Sequence, residues 1–286
     1  MRDPSHKYGS EHSETDATTR PLEGRSVLVT RARAQSEEIT ASIEALGGNA
    51  IHCPTIEFIG PTDPAPLDSA IDQLESFDWI VFASSNAVNF FFDRLRQRQA
   101  DGEASLIGLV ICAIGPATAK ALTAAGVEAD VIPEVATSEG ALAAIIEYAG
   151  GPAALSGVRF LIPRARVARE VLPAELTRLD AHVDAIEAYQ TIQPAIDSRK
   201  IVTLLEEGAV DAITFTSPST VSNFALLAGT QDLSRLLAKC LVACIGPVTA
   251  ATARQHGLRN VVEAETQTSA SLIEVIASSL SKKQPT

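Results

Sequence analysis

The chain has 286 residues, 46% of them hydrophobic and only 5% aromatic, and it carries a formal net charge of −12 at pH 7. This length and composition are typical of a folded α/β protein with two domain cores and exclude a disordered chain. The negative charge argues against a nucleic-acid partner, because phosphate binding needs a basic face. A site for an anionic small molecule must then be local, built from converging N–H groups and a few arginines.

The sequence predicts neither a membrane span nor a metal site. No apolar run reaches the roughly 18 to 20 residues that cross a bilayer, and the polar residues 1–23 lack the apolar segment of a signal peptide. We therefore expect a disordered tail over 1–23 and a cytoplasmic protein without a membrane partner. The four cysteines show no zinc-type spacing and the five histidines are scattered, so no metal ligands are assigned.

Strand-like runs rich in Val and Ile alternate with stretches of helical spacing along the chain. The predicted strands are 27–30, 51–59 (interrupted by Pro54), 79–82, 109–114, 130–132, 159–162, 183–192, 212–215, 241–245 and 260–262. The predicted helices between and after them are 36–46, one ending at 76, 86–99, 117–125, 138–149, 170–179, 220–227, 248–256 and 269–280. This alternation predicts an α/β fold of two flavodoxin-like, doubly wound units with parallel sheets.

The second half of the chain repeats the first. DWIVFASSNAV, from Asp78, returns as DAITFTSPSTV from Asp211, and IGPATAKALTAAG, from Ile114, returns as IGPVTAATARQHG from Ile245. VLVTRAR returns as RFLIPRAR, so that Arg31 corresponds to Arg164. A repeat of this length indicates duplication of a domain and not a solenoid. It predicts two similar lobes that face each other, with a ligand where their equivalent loops converge.

The repeated loops follow predicted strands, at the edge where doubly wound sheets bind ligands. Gly115 and Thr118 lie in one IGPxTA segment, and Gly246 and Thr249 lie in the other. Proline suits the first turn of a helix, glycine permits a tight bend and threonine can satisfy free N–H groups, so simple helix initiation explains each segment. A pair of anion-binding helix N-termini explains both equally well.

Ser84 and Ser217 follow strands that end in phenylalanine, and they suit either helix capping or the binding of carboxylates. No GxSxG, GxGxxG or GxxxxGK[ST] motif is present, which argues against a serine hydrolase, a dehydrogenase or an NTPase. Tyr189, one of three tyrosines, lies on an extended run in EAYQT. It is either a packing residue or, facing a polar cleft, a proton donor.

In their order, these segments resemble those of the uroporphyrinogen-III synthases. The resemblance covers about residues 24–280 and is carried by the following segments: VLVTRARAQSEEITASIEALGGNAIHCPTIEF, DWIVFASSNAV, AIGPATAKAL, TSEGAL, EAYQT, FTSPSTV and CIGPVTAATA. It implies two flavodoxin-like domains joined by a two-stranded linker. The discontinuous first domain would combine 24–51 with 194–280, the second would be 60–182, and the linker strands would be 52–59 and 183–193.

The resemblance also implies a reaction. Hydroxymethylbilane, a linear tetrapyrrole, is closed to uroporphyrinogen III with loss of water and inversion of ring D, without a cofactor. Separately, we expect the chain to be a monomer. Tyr189 matches the tyrosine that assists departure of the hydroxyl group. Thr118, Thr249, Ser84 and Ser217, with Gly115 and Gly246 beside them, match positions near the substrate carboxylates, and Arg31 is a weaker candidate. Ala83 departs from the usual threonine of the FTS turn. The rival hypothesis is a non-catalytic, two-lobed sensor of an anionic metabolite.

Overall fold

The computed structural model describes residues 20–98 and 106–281, so most of the predicted tail, 1–23, lies outside the described residues. The helices and strands in chain order are β1 (Ser26–Val29), α1 (Glu37–Ala45), β2 (Asn49–His52), β3 (Glu57–Ile59), α2 (Ala65–Asp72), β4 (Trp79–Phe82), α3 (Ser85–Arg98), β5 (Val110–Ala113), α4 (Pro116–Ala124), α5 (Ser138–Ala149), β6 (Arg159–Ala165), α6 (Val171–Arg178), β7 (His182–Ile192), α7 (Ser198–Glu207), β8 (Ala212–Phe215), α8 (Pro218–Leu227), β9 (Leu241–Cys244), α9 (Pro247–Gln255), β10 (Val261–Glu263) and α10 (Ser269–Ser281). The chain divides into two compact units. Unit 1 contains the described residues up to Thr55 and from Pro194 onwards, and unit 2 contains Ile56–Gln193.

Unit 1 is built on a parallel sheet whose strands lie in the order β10-β9-β8-β1-β2. Strand β1, which lies between β8 and β2, buries successive residues on opposite faces. Val27 and Val29 pack with α1 and α10, whereas Leu28 packs with α7, α8 and α9. Because helices cover both faces, the inner strands β1, β8 and β9 are mainly apolar and buried and show no regular polar alternation.

Unit 2 has the strand order β3-β7-β6-β4-β5. Strands β7, β6, β4 and β5 are parallel, and β3 alone runs antiparallel, pairing with the end of β7. One face of the sheet packs with α2, α3 and α4, and the other packs with α5 and α6. The predicted class, an α/β chain with two parallel-sheet domains, is confirmed.

Two predicted elements differ from the structure. Of the predicted strand 130–132, Val131 alone pairs, through a single bridge to Cys112. Pro133 follows and has no N–H group to donate, which ends the pairing. The predicted linker strand 183–193 lies mostly inside unit 2, because β6 supplies backbone partners for β7 as far as Tyr189. The antiparallel pairing with β3 involves residues 190–192 of β7.

An aspartate fixes the strand register at the amino edge of each sheet. In unit 1, Asp211 accepts the N–H of Ser26 on Oδ2 (2.9 Å), donates its own N–H to the Ser26 carbonyl (2.9 Å) and pairs with Arg25 (2.7 Å). In unit 2, the equivalent Asp78 accepts the N–H of Arg159 (2.8 Å) and donates to the Arg159 carbonyl (2.9 Å). The duplicated aspartates therefore fix the register of equivalent strand pairs, β8 with β1 in unit 1 and β4 with β6 in unit 2.

Replacing Asp211 by alanine is expected to lower the free energy of unfolding by about 1–3 kcal/mol, because the Ser26 N–H and the Arg25 guanidinium both lose their acceptor. Urea unfolding followed by circular dichroism measures this loss. Glu206→Ala in α7 removes the same charge from an exposed position of the same unit and should change stability by less than about 0.5 kcal/mol. Equal effects of the two substitutions would contradict a register-fixing role for Asp211.

Candidate functional site

The predicted site residues of unit 1 lie at the carboxyl edge of its sheet. Arg31 follows β1, Ser217 follows β8, and Gly246 and Thr249 follow β9. These three strands are adjacent and parallel, so the loops that leave them lie side by side. In unit 2 the corresponding edge carries Ser84 after β4, Gly115 and Thr118 after β5, and Tyr189 near the end of β7.

The loop at the start of α9 presents backbone donors without acceptors. The N–H groups of Gly246, Val248 and Thr249 donate to no residue in the described ranges, and Pro247 has no N–H group. Thr249 as a whole residue is only 3% exposed, and its hydroxyl has no hydrogen-bond partner within the same ranges. Free N–H groups at a helix N-terminus attract anions, since the helix dipole favours negative charge there.

The equivalent loop of unit 2 satisfies its own groups. Gly115 donates its N–H to the Ala113 carbonyl (2.9 Å), and Thr118 donates its N–H to the Gly115 carbonyl (3.2 Å). The Thr118 hydroxyl donates to the Ile114 carbonyl at 3.2 Å. The start of α4 therefore offers fewer free donors than the start of α9, although the two sequences match.

Gly115 and Gly246 are glycines for different structural reasons. Gly115 has φ +99°, a conformation that side-chain-bearing residues rarely adopt, as the predicted tight bend requires. Gly246 has φ 178° and ψ 178°, an extended backbone open to any residue, so the tight-bend explanation is wrong for this position. A Cβ atom at Gly246 would instead lie 3.2 Å from Cγ of Gln267.

The repeated arginines also differ between the units. Arg31 is half-buried, and its Nε donates to Oε1 of Gln35 at 3.3 Å. Among the described residues no carboxylate lies within ion-pair distance of Arg31, whereas its counterpart Arg164 pairs with Glu170 at 2.6 Å. Of these two equivalent arginines, the one without a carboxylate partner is therefore Arg31, which lies on the same sheet edge as the free N–H groups.

Tyr189 and Ser84 are brought together in unit 2. The Tyr189 hydroxyl lies 3.2 Å from Oγ of Ser84, and that same Oγ accepts the N–H of Ala87 at 3.1 Å. The Tyr189 ring stacks on Phe90 with centroids 5.6 Å apart and meets Phe58 edge-on at 5.9 Å. With a residue exposure of only 7%, the ring is fixed by packing while its hydroxyl has a polar partner.

A β-bulge, which the sequence did not reveal, positions Tyr189. Arg164 of β6 pairs with Glu187, but the next residue, Ala165, pairs with Tyr189, so Ala188 is the extra residue. Strand residues normally alternate between faces, and the bulge lets both Ala188 and Tyr189 join the same core. Adjacent small and aromatic residues in EAYQT are the only sequence signal, and they are not specific.

Ser217 acts as the N-cap of α8. Its Oγ accepts the N–H of Thr220 at 3.2 Å, and its own N–H donates to Oγ1 of Thr220 at 3.2 Å. Its Oγ also lies 2.9 Å from Oγ of Ser219. Helix capping therefore accounts for the serine at position 217. The contact of Ser217 with a substrate carboxylate stays a prediction.

The described parts of the chain give no support for a cysteine nucleophile, a metal site or a membrane-spanning helix. Burial raises the pKa of the Cys53, Cys112 and Cys244 thiols to about 12, so they are protonated and poor nucleophiles at neutral pH. The described ranges hold no group of three or more His, Cys, Asp or Glu side chains suited to a metal ion. None of the helices within those ranges has the length and apolar character needed to cross a membrane.

Comparison with known proteins assigns the family. The model of the family described as "Uroporphyrinogen-III synthase HemD" matches residues 37–274. The chain belongs to this family. Uroporphyrinogen-III synthase from Synechococcus elongatus is 34% identical over 252 residues, covering 87% of this chain and 92% of the relative. The enzyme of the same name from Chlorobaculum parvum is 28% identical over 236 residues, covering 82% and 91%.

Solved structures support the fold. A mutant uroporphyrinogen III synthase from the extremely thermophilic bacterium Thermus thermophilus has a TM-score of 0.55 at 20% identity and covers 91% of this chain and 100% of its own. The Helicobacter pylori enzyme has a TM-score of 0.52 at 17% identity and covers 89% and 99%. The predicted enzyme class, uroporphyrinogen-III synthase activity in tetrapyrrole biosynthesis, is confirmed by the family match and the relatives.

The two IGPxT threonines should respond differently to the isosteric change to valine. Thr249→Val removes a hydroxyl without a partner, so KM should rise by about tenfold with the melting temperature unchanged or slightly raised. Thr118→Val removes the bond to the Ile114 carbonyl, so stability should fall by about 1 kcal/mol while KM stays within about twofold. Steady-state kinetics and thermal unfolding of both variants test this. Equal KM values for the two would contradict the difference between the loops.

Proposed function

We propose that this chain closes hydroxymethylbilane to uroporphyrinogen III, with Tyr189 as the proton donor and the Gly246–Thr249 loop as the main binding site for substrate carboxylates. The observation that carries the binding part is the set of three N–H groups and one hydroxyl in this loop that lack acceptors among the described residues. Each pyrrole of the substrate carries an acetate and a propionate, which are acceptors without donors. Membership of the family supports the reaction itself.

The first step is loss of the terminal hydroxyl of the substrate as water. The C–O bond breaks as the pyrrole nitrogen supplies electrons, and a proton must reach the departing oxygen. In our proposal the Tyr189 hydroxyl donates that proton, while the Ser84 hydroxyl donates a hydrogen bond to the phenol oxygen. This direction is consistent with the 3.2 Å contact, because Ser84 already accepts the Ala87 N–H and keeps its own proton to donate.

The Ser84 hydrogen bond then stabilises the negative charge that develops on the Tyr189 oxygen. The azafulvene that forms is attacked by the already substituted carbon of ring D, which gives a spiro intermediate. Cleavage of the old bond to ring D and closure at its other α-carbon turn the ring over. Loss of the proton from that carbon restores the aromatic pyrrole and returns a proton to balance the one supplied by Tyr189.

Positioning is the second task of the site. Hydroxymethylbilane also closes without a catalyst, and then ring D is not inverted, so the enzyme must hold the geometry that leads to the spiro intermediate. Carboxylates bound at fixed points restrict the linear chain to such a geometry. We assign this role to the Gly246–Thr249 loop, with Arg31 and Ser217 on the adjacent strand ends as further contacts. In unit 2 we propose Ser84, Thr118 and Gly115 as substrate contacts at the carboxyl edge of that unit's own sheet.

We also propose that a single chain is the active species and that it works in the cytoplasm. The duplication supports the first point, since one chain carries both copies of the repeated loops. Sedimentation at the concentrations used for kinetics tests it, and activity that depends on chain concentration would contradict it.

The isomer produced from hydroxymethylbilane tests the reaction against the alternative of a binding protein without activity. The catalysed product should be the III isomer, whereas the uncatalysed product is the I isomer. Oxidation to the porphyrins and chromatography give the ratio. A protein that binds hydroxymethylbilane but leaves the I isomer as the product would be a sensor and not a synthase.

Tyr189→Phe is expected to slow formation of the III isomer by about a hundredfold or more, because it removes the proton donor. The ring contacts with Phe90 and Phe58 remain, so the melting temperature should change little. Tyr148→Phe is the matched control, since Tyr148 is 53% exposed in α5 of the same unit. A Tyr189→Phe rate within about threefold of the unmodified enzyme would assign Tyr189 to packing alone.

A further inference from the structure

The side chain of Gln267 lies against the loop that starts α9. A Cβ atom placed on Gly246 would be 3.2 Å from Cγ, 3.3 Å from Cδ and 3.4 Å from Nε2 of Gln267. The backbone of Gly246 is extended, so its conformation gives no reason for a glycine. The absence of a side chain at 246 instead leaves room for the Gln267 side chain beside the loop.

The Gln267 amide is available for a ligand. Gln267 is exposed, and its side chain makes no hydrogen bond to any residue that the structure describes. The adjacent loop has the three N–H groups without acceptors and the Thr249 hydroxyl, which lacks a partner although only 3% of the residue is exposed. A bound carboxylate would supply the acceptor that these donors lack among the described residues.

The repeat shows that this amide is specific to unit 1. At the equivalent place in unit 2, a Cβ atom on Gly115 would be 3.0 Å from Cβ of Ala136. Alanine offers no side-chain donor there, and Gly115 and Thr118 use their own donors internally. The polar side chain thus occurs beside the loop with more free donors and is absent beside the loop with fewer.

We propose that Gln267 is a further substrate-binding residue, whose Nε2 donates a hydrogen bond to a substrate carboxylate held at the N-terminus of α9. This inference rests on the proposed function. A neutral amide adds a donor but no charge, so it leaves the positive charge of this edge to Arg31. Residue 246 is then glycine because the Gln267 amide must lie close to the Gly246 N–H to reach the same carboxylate.

Two substitutions of Gln267 test the contact in the full chain. Gln267→Ala should raise KM by about three- to tenfold with kcat within about twofold, since one hydrogen bond to a charged group is lost. Gln267→Glu should raise KM further than alanine does, because a carboxylate would face the substrate carboxylate. Gln255→Glu, an exposed position at the opposite end of α9, makes the same change in net charge and should leave KM within about twofold.

Gly246→Ala provides a second measurement. Its Cβ would lie 3.2 to 3.4 Å from three side-chain atoms of Gln267 and push them away by a few tenths of an ångström, so this variant should raise KM by no more than Gln267→Ala does. The double variant should have the KM of Gln267→Ala alone, whereas independent sites would multiply their effects. Melting temperatures of all variants show whether each remains folded.

The outcomes separate this inference from the proposed function. If the unmodified enzyme makes the III isomer and Thr249→Val raises KM, while Gln267→Ala and Gln267→Glu both stay within about twofold, Gln267 is not a binding residue and the inference is overturned. If no III isomer is formed, the proposed function fails, and the dissociation constant of uroporphyrinogen III, measured under nitrogen, replaces KM. A loss of affinity in Gln267→Glu but not in Gln255→Glu would then still support the contact, and equal affinities would overturn it.

Discussion

The fold of each unit depends on parallel strands whose register is fixed by one aspartate. This aspartate lies at the edge of the sheet where the strands begin. Asp211 and Asp78 each bind the first N–H of a neighbouring strand, and parallel pairing carries that register to the opposite edge. A shift of one residue would turn every side chain to the other face of the sheet. The aspartate at the start of β8 therefore sets the position of the loops that follow β8 and β9. These loops lie at the opposite, carboxyl edge of the sheet, which carries the proposed site.

The duplication has kept this scaffold while the loops have diverged in the use of their hydrogen bonds. In unit 2 the threonine, the glycine and the arginine of the repeat are all satisfied internally, by Ile114, Ala113 and Glu170 respectively. In unit 1, Gly246 and Thr249 lack such partners among the described residues, and Arg31 bonds to the neutral side chain of Gln35 instead of a carboxylate. Unit 2 has instead acquired the bulge that brings Tyr189 to Ser84.

The sequence predicted the alternation of strands and helices, the two sheets and the edge at which the repeated loops lie, because apolar periodicity and duplication are local or regular signals. It did not predict which copy of a loop is satisfied internally. Thr118 and Thr249 stand in the same motif, and only atomic positions show that one hydroxyl bonds to Ile114 and the other to no described residue. The bulge at Ala188 and the packing of Gln267 on Gly246 depend on residues distant in the chain, which no local pattern encodes.

The net charge of −12 is compatible with a substrate that carries many carboxylates, because the two act over different distances. Repulsion between the protein and the substrate is screened beyond a Debye length of about 8 Å at physiological ionic strength. Backbone N–H groups, hydroxyls and amides act at contact, where little solvent separates them from the carboxylate. They also bind an anion without the strong, non-directional attraction of a basic patch, which would hold the substrate in many poses. For a linear molecule that closes to the wrong isomer in most poses, directional neutral donors restrict the geometry more strictly than added positive charge would.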